Sequence, residues 1–147
     1  MVMARTGYAV GTPLSVFDVR DGDYRLVNLP YGKHCYPDYD KIPILMAKFV
    51  KVLQKKMKSV SGIEKAYELS FDAHYELFHI NPFGEGNGRT ARLLMNYIQA
   101  YNNLPLTTVL VEDRQAYVDA LIKTHELQKL DPIRAFMVGQ ACKCLTQ

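Results

Sequence analysis

From Asp40 onward the apolar residues recur at helical spacing. Ile42, Leu45, Met46, Phe49, Val50, Leu53 and Met57 share one side, the rhythm of an amphipathic helix. Asp40 is a candidate cap, and Pro43 is tolerated in the first turn. Gly62 interrupts the pattern after Ser59 to Ser61. Ser61 and Glu64 have capping-box spacing. They open a second helix, with Ile63, Ala66, Tyr67, Phe71, His74, Tyr75 and Phe78 on one broad side. That helix must end before Pro82, because the residue preceding proline is pushed out of helical geometry. A third helix carries Ala91, Leu94, Met95, Ile98 and Tyr101 inward and stops near Asn102 and Asn103. Leu104 to Val111 reads as a β-branched connector. A fourth helix spans about Arg114 to His125, and Asp131-Pro132 caps and opens a fifth towards Cys144.

The first 40 residues are punctuated by Gly11, Pro13, Gly22, Pro30, Gly32 and Pro37, so turns dominate there. Tyr24 to Val27 is β-prone. Pro30-Tyr31-Gly32 would return it to a second short strand near His34 and Cys35, giving a small hairpin. The expectation is one mainly helical, all-α domain over residues 1–147. It has a flap region at about 24–40 and a helical core at 41–145. A chain of 147 residues is long enough to bury a core without staples.

Composition narrows the function. Charged residues make up 22% and apolar residues 48%, which is ordinary for a globular domain. Net charge is only +3, and the one basic cluster, Lys51, Lys55, Lys56 and Lys58, closes a helix where cations suit the dipole. A nucleic-acid partner is therefore not expected, and a nucleic-acid-binding helical domain ranks last among the readings. The stretch from Ile42 to Leu53 is broken by Lys48 and Lys51, so no membrane span is expected. Cys35, Cys142 and Cys144 form neither a disulfide framework nor a zinc knuckle. Reduced thiols and a cytoplasmic location fit this best, and no secretion signal is recognised.

The chemistry concentrates between His79 and Arg92. Gly84, Gly86 and Gly88 alternate there and lead into a helix. Glycines let backbone N–H groups converge on an anion, and a helix N-terminus favours one. Arg89 and Arg92, three apart, present two guanidinium forks from one side. This is a di- or triphosphate site rather than a tight surface turn. Glu85 would repel phosphate unless a cation bridges them, which makes it a Mg²⁺ ligand candidate. The segment lacks the Gly-Lys-Ser/Thr of a P-loop, and Arg89 stands where a dinucleotide fingerprint needs glycine.

Pro82, Phe83, Glu85, Gly86, Asn87, Gly88, Arg89 and Arg92 resemble the signature His-Pro-Phe-x-Asp/Glu-Gly-Asn-Gly-Arg-x-x-Arg of the Fic (Fic/Doc, Fido-fold) family. The resemblance extends over about 120 residues. It implies a compact helical bundle with a hairpin flap, transferring AMP from ATP to a hydroxyl of a target protein. It further implies that Glu85 holds Mg²⁺ against the α- and β-phosphates and that Gly86, Asn87 and Gly88 form the anion nest, with the Asn87 side chain near the α-phosphate. Arg89 and Arg92 would hold the β- and γ-phosphates, and Phe83 would anchor the loop in the core. The target would dock on the flap in extended form. Transfer of UMP, GMP or phosphate instead stays open, as does the oligomeric state.

The family's catalytic histidine position is Asn81 here. A carboxamide can orient a hydroxyl but has no useful basicity. The chain is thus an inactivated form of an active enzyme, a variant with residual transfer, or a nucleotide-binding pseudoenzyme acting as an interaction module. His79, two residues earlier, would face away from position 81 if the helix reaches it. His74 reads as a packed core histidine, His34 as exposed on the flap, and His125 as an ordinary residue near a helix end. The family's Ser/Thr-x-x-x-Glu-Gly/Asn inhibitory helix has no match in the chain. Inhibition in cis is not expected, and control would fall to a separate antitoxin-like partner or to none.

Overall fold

The computed structural model describes residues 8–11, 16–19, 22–29 and 34–146. Two short antiparallel strands, β1 (Tyr8–Gly11) and β2 (Val16–Val19), pair with Tyr8 opposite Val19. Five helices follow: α1 (Ile42–Ser59), α2 (Ile63–Ile80), α3 (Asn87–Tyr101), α4 (Arg114–Leu127) and α5 (Asp131–Thr146). Single 3₁₀ turns, Tyr39–Lys41 and Val111–Asp113, lead into α1 and α4. The protein is mainly helical, as the periodicity indicates, and among the described residues no helix is long and apolar enough to cross a membrane.

α2 is the axis of the bundle because it is apolar on more than one side. Leu69, Ala73, Leu77 and Ile80 pack with Ile42, Met46 and Phe49 of α1 and with Ala91 and Ile98 of α3. Phe71 belongs to a second cluster with Met95, Tyr117, Leu121, Ile133 and Met137. A helix flanked on two sides needs a broad apolar arc, and α2 keeps Glu64, Lys65, Glu68, Asp72 and Glu76 outside it. The lysines at the end of α1 are all exposed, a solvated face.

The connector between α3 and α4 is held by a buried polar relay. Gln99 donates from Nε2 to Ser70 Oγ (3.0 Å) and Thr107 Oγ1 (3.1 Å), and accepts from the Thr107 N–H at 2.8 Å. All three residues are essentially inaccessible. Gln99→Ala strips the Thr107 hydroxyl and N–H of their buried partner and takes one of two bonds from Ser70 Oγ, which still donates to the Tyr67 carbonyl at 2.7 Å. It should cost about 2–3 kcal/mol, read as a lower urea midpoint. An unchanged midpoint would show that packing alone holds this seam.

Three local expectations are corrected. The paired strands are Tyr8–Gly11 and Val16–Val19, not Tyr24–Val27 with a strand near His34. Tyr24 forms a lone antiparallel bridge with Phe83 instead, so the β-prone run pairs with a distant loop. The turn expected at Pro30-Tyr31-Gly32 falls outside the described residues. Ser61 does not cap α2; Gly62, at φ 93°, occupies the cap position and makes the turn through its backbone, leaving Ser61 one residue too early. Asp40 sits inside the 3₁₀ turn before α1, whose cap position is Lys41.

Candidate functional site

The loop between α2 and α3 is fixed from both sides. α2 closes at Asn81, whose N–H reaches the Leu77 carbonyl at 3.0 Å. The Asn81 backbone is left-handed (φ 49°, ψ 59°), a conformation asparagine tolerates. The carbonyls of Asn81 and Pro82 face Arg25, which donates from Nε to Asn81 (2.8 Å) and from its backbone N–H to Pro82 (2.8 Å). The remaining guanidinium nitrogens donate to the carbonyls of Val27 (2.8 Å) and Pro37. Arg25 is 1% exposed. Burial lowers its pKa, and the charge of Asp38 opposes that shift. Sequence reasoning missed this residue, because an arginine in a β-prone run carries no local sign of burial.

From the other side, Asn87 clamps the loop. Its Oδ1 accepts the Phe83 N–H at 2.9 Å, and its Nδ2 donates to the Phe83 carbonyl at 2.8 Å. Asn87 is 7% exposed. The side chain expected at the α-phosphate is thus engaged in shaping the loop, with one further amide hydrogen to offer a ligand. Phe83 is half-buried and lines an apolar groove with Phe49, Leu53 and Leu94.

Gly86 caps α3 with φ 75°, the one left-handed residue among the three loop glycines. Its carbonyl accepts from the Thr90 N–H (2.9 Å) and Thr90 Oγ1 (3.0 Å). The first-turn N–H groups of Asn87, Gly88 and Arg89 therefore aim out of the helix end. Gly88 sits close under Arg92: a Cβ there would lie 3.3 Å from Arg92 Nη1, so the guanidinium would have to shift by a few tenths of an ångström. Arg89 and Glu85 are exposed, whereas Arg92 is half-buried. The Arg92 guanidinium lies 5.9 Å from the Tyr117 ring centre. The Tyr117 hydroxyl is hydrogen-bonded to His74 Nε2 at 2.8 Å, so α2 and α4 together support the platform under Arg92. Burial first, then the Arg92 charge, lowers the His74 pKa to about 3, which keeps it a neutral core histidine, as read from its position. Burial raises the Tyr117 phenol pKa, and Arg92 opposes this.

α2 runs past His79, so that ring faces away from the loop. It stacks on Tyr75 (6.0 Å between ring centres) and its Nδ1 lies 3.0 Å from His34 Nε2. His34 is not exposed on a flap; it is 9% accessible, enclosed by Tyr36, Tyr75, Phe78, His79 and His125. Aromatic enclosure makes burial more favourable than solvation here. Desolvation, then the neighbouring imidazoles, lowers its pKa to about 4. Burial also lowers that of His79. Tyr36 bridges the two regions: burial raises its phenol pKa, and a hydrogen bond with the Asn81 side chain opposes the shift.

Comparison with known proteins identifies the family and the fold. Residues 4–99 match the model of the Fic/DOC family. The chain is 33% identical over 108 residues to the protein adenylyltransferase Fic of Culex quinquefasciatus, covering 74% of this chain and 21% of that protein. The Drosophila melanogaster protein of the same name is 32% identical over the same length and shares. The chain thus spans about a fifth of the length of these curated relatives. Among solved structures, C. elegans Fic-1 (residues 134–508) superposes with a TM-score of 0.72 at 26% identity, over 86% of this chain and 36% of that one. A Fic-domain signalling protein of Bacteroides thetaiotaomicron superposes with a TM-score of 0.73 at 22% identity, over 87% and 54% of the two chains, a likeness of fold. The matched region contains the whole loop from Asn81 to Arg92 with its cap, clamp and arginines, and the chain belongs to the Fic/DOC family.

Proposed function

We propose that this domain binds ATP with Mg²⁺ and is built to transfer AMP to a protein hydroxyl, with transfer impaired because Asn81 stands at the family's histidine position. The observation that carries the reading is the first turn of α3: a left-handed Gly86 cap, outward N–H groups, and Arg92 seated over Tyr117. The first-turn N–H groups bind phosphate oxygens, and Arg89 and Arg92 hold the β- and γ-phosphates. A hydroxyl oxygen of the target attacks the α-phosphorus, and pyrophosphate leaves. Asn81 can orient that hydroxyl but cannot take its proton. The exposed Glu85 carboxylate beside a phosphate-binding turn suits Mg²⁺, which takes one or two carboxylates plus phosphate oxygens and would neutralise charge on the phosphates. The target segment docks in extended form on the flap region at about 24–40, by strand addition. A nucleotide-binding module without catalysis is the second reading, favoured by the absence of any imidazole facing the loop at position 81.

The test is calorimetry with ATP and Mg²⁺, since binding needs no base. No heat at millimolar ATP would remove the phosphate-site reading. Arg89→Ala should weaken ATP binding by about 1.5–3 kcal/mol, the worth of a hydrogen bond to a charged group. Glu85→Ala should reduce the Mg²⁺ dependence of ATP affinity, since it removes the exposed carboxylate beside the first turn of α3. An identical magnesium response would make Glu85 a surface charge only.

A further inference from the structure

The three histidines His34, His79 and His125 come from three separate segments. His34 precedes α1, while His79 and His125 lie in the last turns of α2 and α4. One ring nitrogen from each lies within 4.8 Å of the other two. The closest pair, His34 Nε2 and His79 Nδ1, is 3.0 Å apart. The rings of His34 and His125 are 4.3 Å apart, and those of His79 and His125 5.5 Å.

Hydrogen bonding does not account for this arrangement. The His34–His79 contact uses one nitrogen of each ring, and His125 Nε2 accepts only a long 3.4 Å bond from the Cys35 N–H. The buried Nδ1 atoms of His34 and His125 have no hydrogen-bond partner. Native interiors seldom leave such atoms unsatisfied. Repeated imidazoles converging on one point are instead the donor set of a borderline transition metal. Zinc–nitrogen bonds of about 2.0–2.1 Å place tetrahedral ligands about 3.3 Å apart. The closest pair already meets that spacing, and rotation about the soft imidazole torsions closes the widest gap. The site also lies at the C-terminal ends of two helices, where the backbone dipoles favour a cation.

We propose that His34, His79 and His125 form a binding site for one zinc-class divalent cation, separate from the phosphate loop. Three imidazoles leave a fourth position for water, the open pattern of an exchangeable site. The ion joins the segment before α1 to the ends of α2 and α4. Because Tyr36 packs on His34 and bonds Asn81, the ion also steadies the segment that borders the loop.

The whole chain, stripped with chelator, is titrated with Zn²⁺ by calorimetry and with Co²⁺ by visible absorption. The expected result is one equivalent bound, with cobalt d–d bands of a nitrogen-ligated site and no thiolate charge-transfer band. His34→Ala, His79→Ala and His125→Ala should each weaken Zn²⁺ at least about 10-fold, since even outer partners of a ligand are worth 10–100-fold. Cys142→Ser and Cys144→Ser should leave it unchanged. Circular dichroism and melting in chelator confirm that each variant folds; for one that does not, the corresponding His→Gln serves. Zn²⁺ should raise the melting temperature of the parent chain but not of the variants. Binding of less than one equivalent, binding that survives all three substitutions, or a cobalt–thiolate band would overturn the site. Each of these outcomes is read without ATP, so the test of the metal site stands apart from that of the phosphate site.

Discussion

Arg25→Ala should lower the stability of the domain by about 3–4 kcal/mol, near the upper limit for a single substitution. Its side chain serves the carbonyls of Asn81, Val27 and Pro37 from an almost inaccessible position. Each hydrogen bond from a charged donor is worth about 1.5–3 kcal/mol, and alanine leaves all three acceptors without it. Water can reach some of them after the change, which is why the sum is not fully lost. Arg25→Lys should recover little, since an ammonium cannot span three carbonyls as a planar fork does. Equilibrium urea unfolding measures the loss. The same variant should bind ATP more weakly, because Asn81 and Pro82 enter the phosphate loop directly. A loss under about 1 kcal/mol, an ordinary surface value, would show that Arg25 is an accessory rather than the joint between the N-terminal segment and the loop.

The helices were legible because their information is local. Apolar residues at three-to-four spacing announce α1 to α3, Asp131-Pro132 announces the start of α5, and proline at position 82 announces the stop of α2. The motif between α2 and α3 that carries the family resemblance was legible for the same reason, since its glycines and arginines fall within a few residues. What stayed hidden depends on contacts far apart in the chain. Tyr24 to Val27 has the composition of a strand, yet its partner is Phe83 and not a neighbouring strand. Arg25 reaches Asn81 across 56 positions, and His34 reaches His79 across 45. No periodicity records such pairings. Asn87 is an intermediate case. Its presence in the loop was legible, but only the closed ring of bonds to Phe83 shows that it shapes the loop first. Ser61 illustrates a competing local device, where a glycine with positive φ takes over the turn that a capping box would make.

Asn81→His should raise AMP transfer, onto lysate proteins or onto the chain itself, by about 10²-fold or more, the lower range of what a general base contributes. The backbone permits the exchange. Position 81 is left-handed, and histidine, like asparagine, is enriched there among non-glycine residues. The bonds that fix the position, from its N–H to Leu77 and from Arg25 to its carbonyl, involve no side-chain atom of residue 81. Only the contact with Tyr36 changes. An imidazole there adds a proton acceptor to a loop whose arginines and first-turn N–H groups are otherwise unchanged. His79→Ala in the unaltered chain should do nothing to transfer, because that ring faces His34 on the far side of α2. Incubation with ATP labelled on the α-phosphate, comparing the three proteins, reads both effects. If Asn81→His binds ATP yet transfers no label, the domain is a nucleotide-dependent binding module. If His79→Ala abolishes a measurable starting rate, the proton leaves by way of His79, and the orientation of α2 at its last turn must change during the reaction.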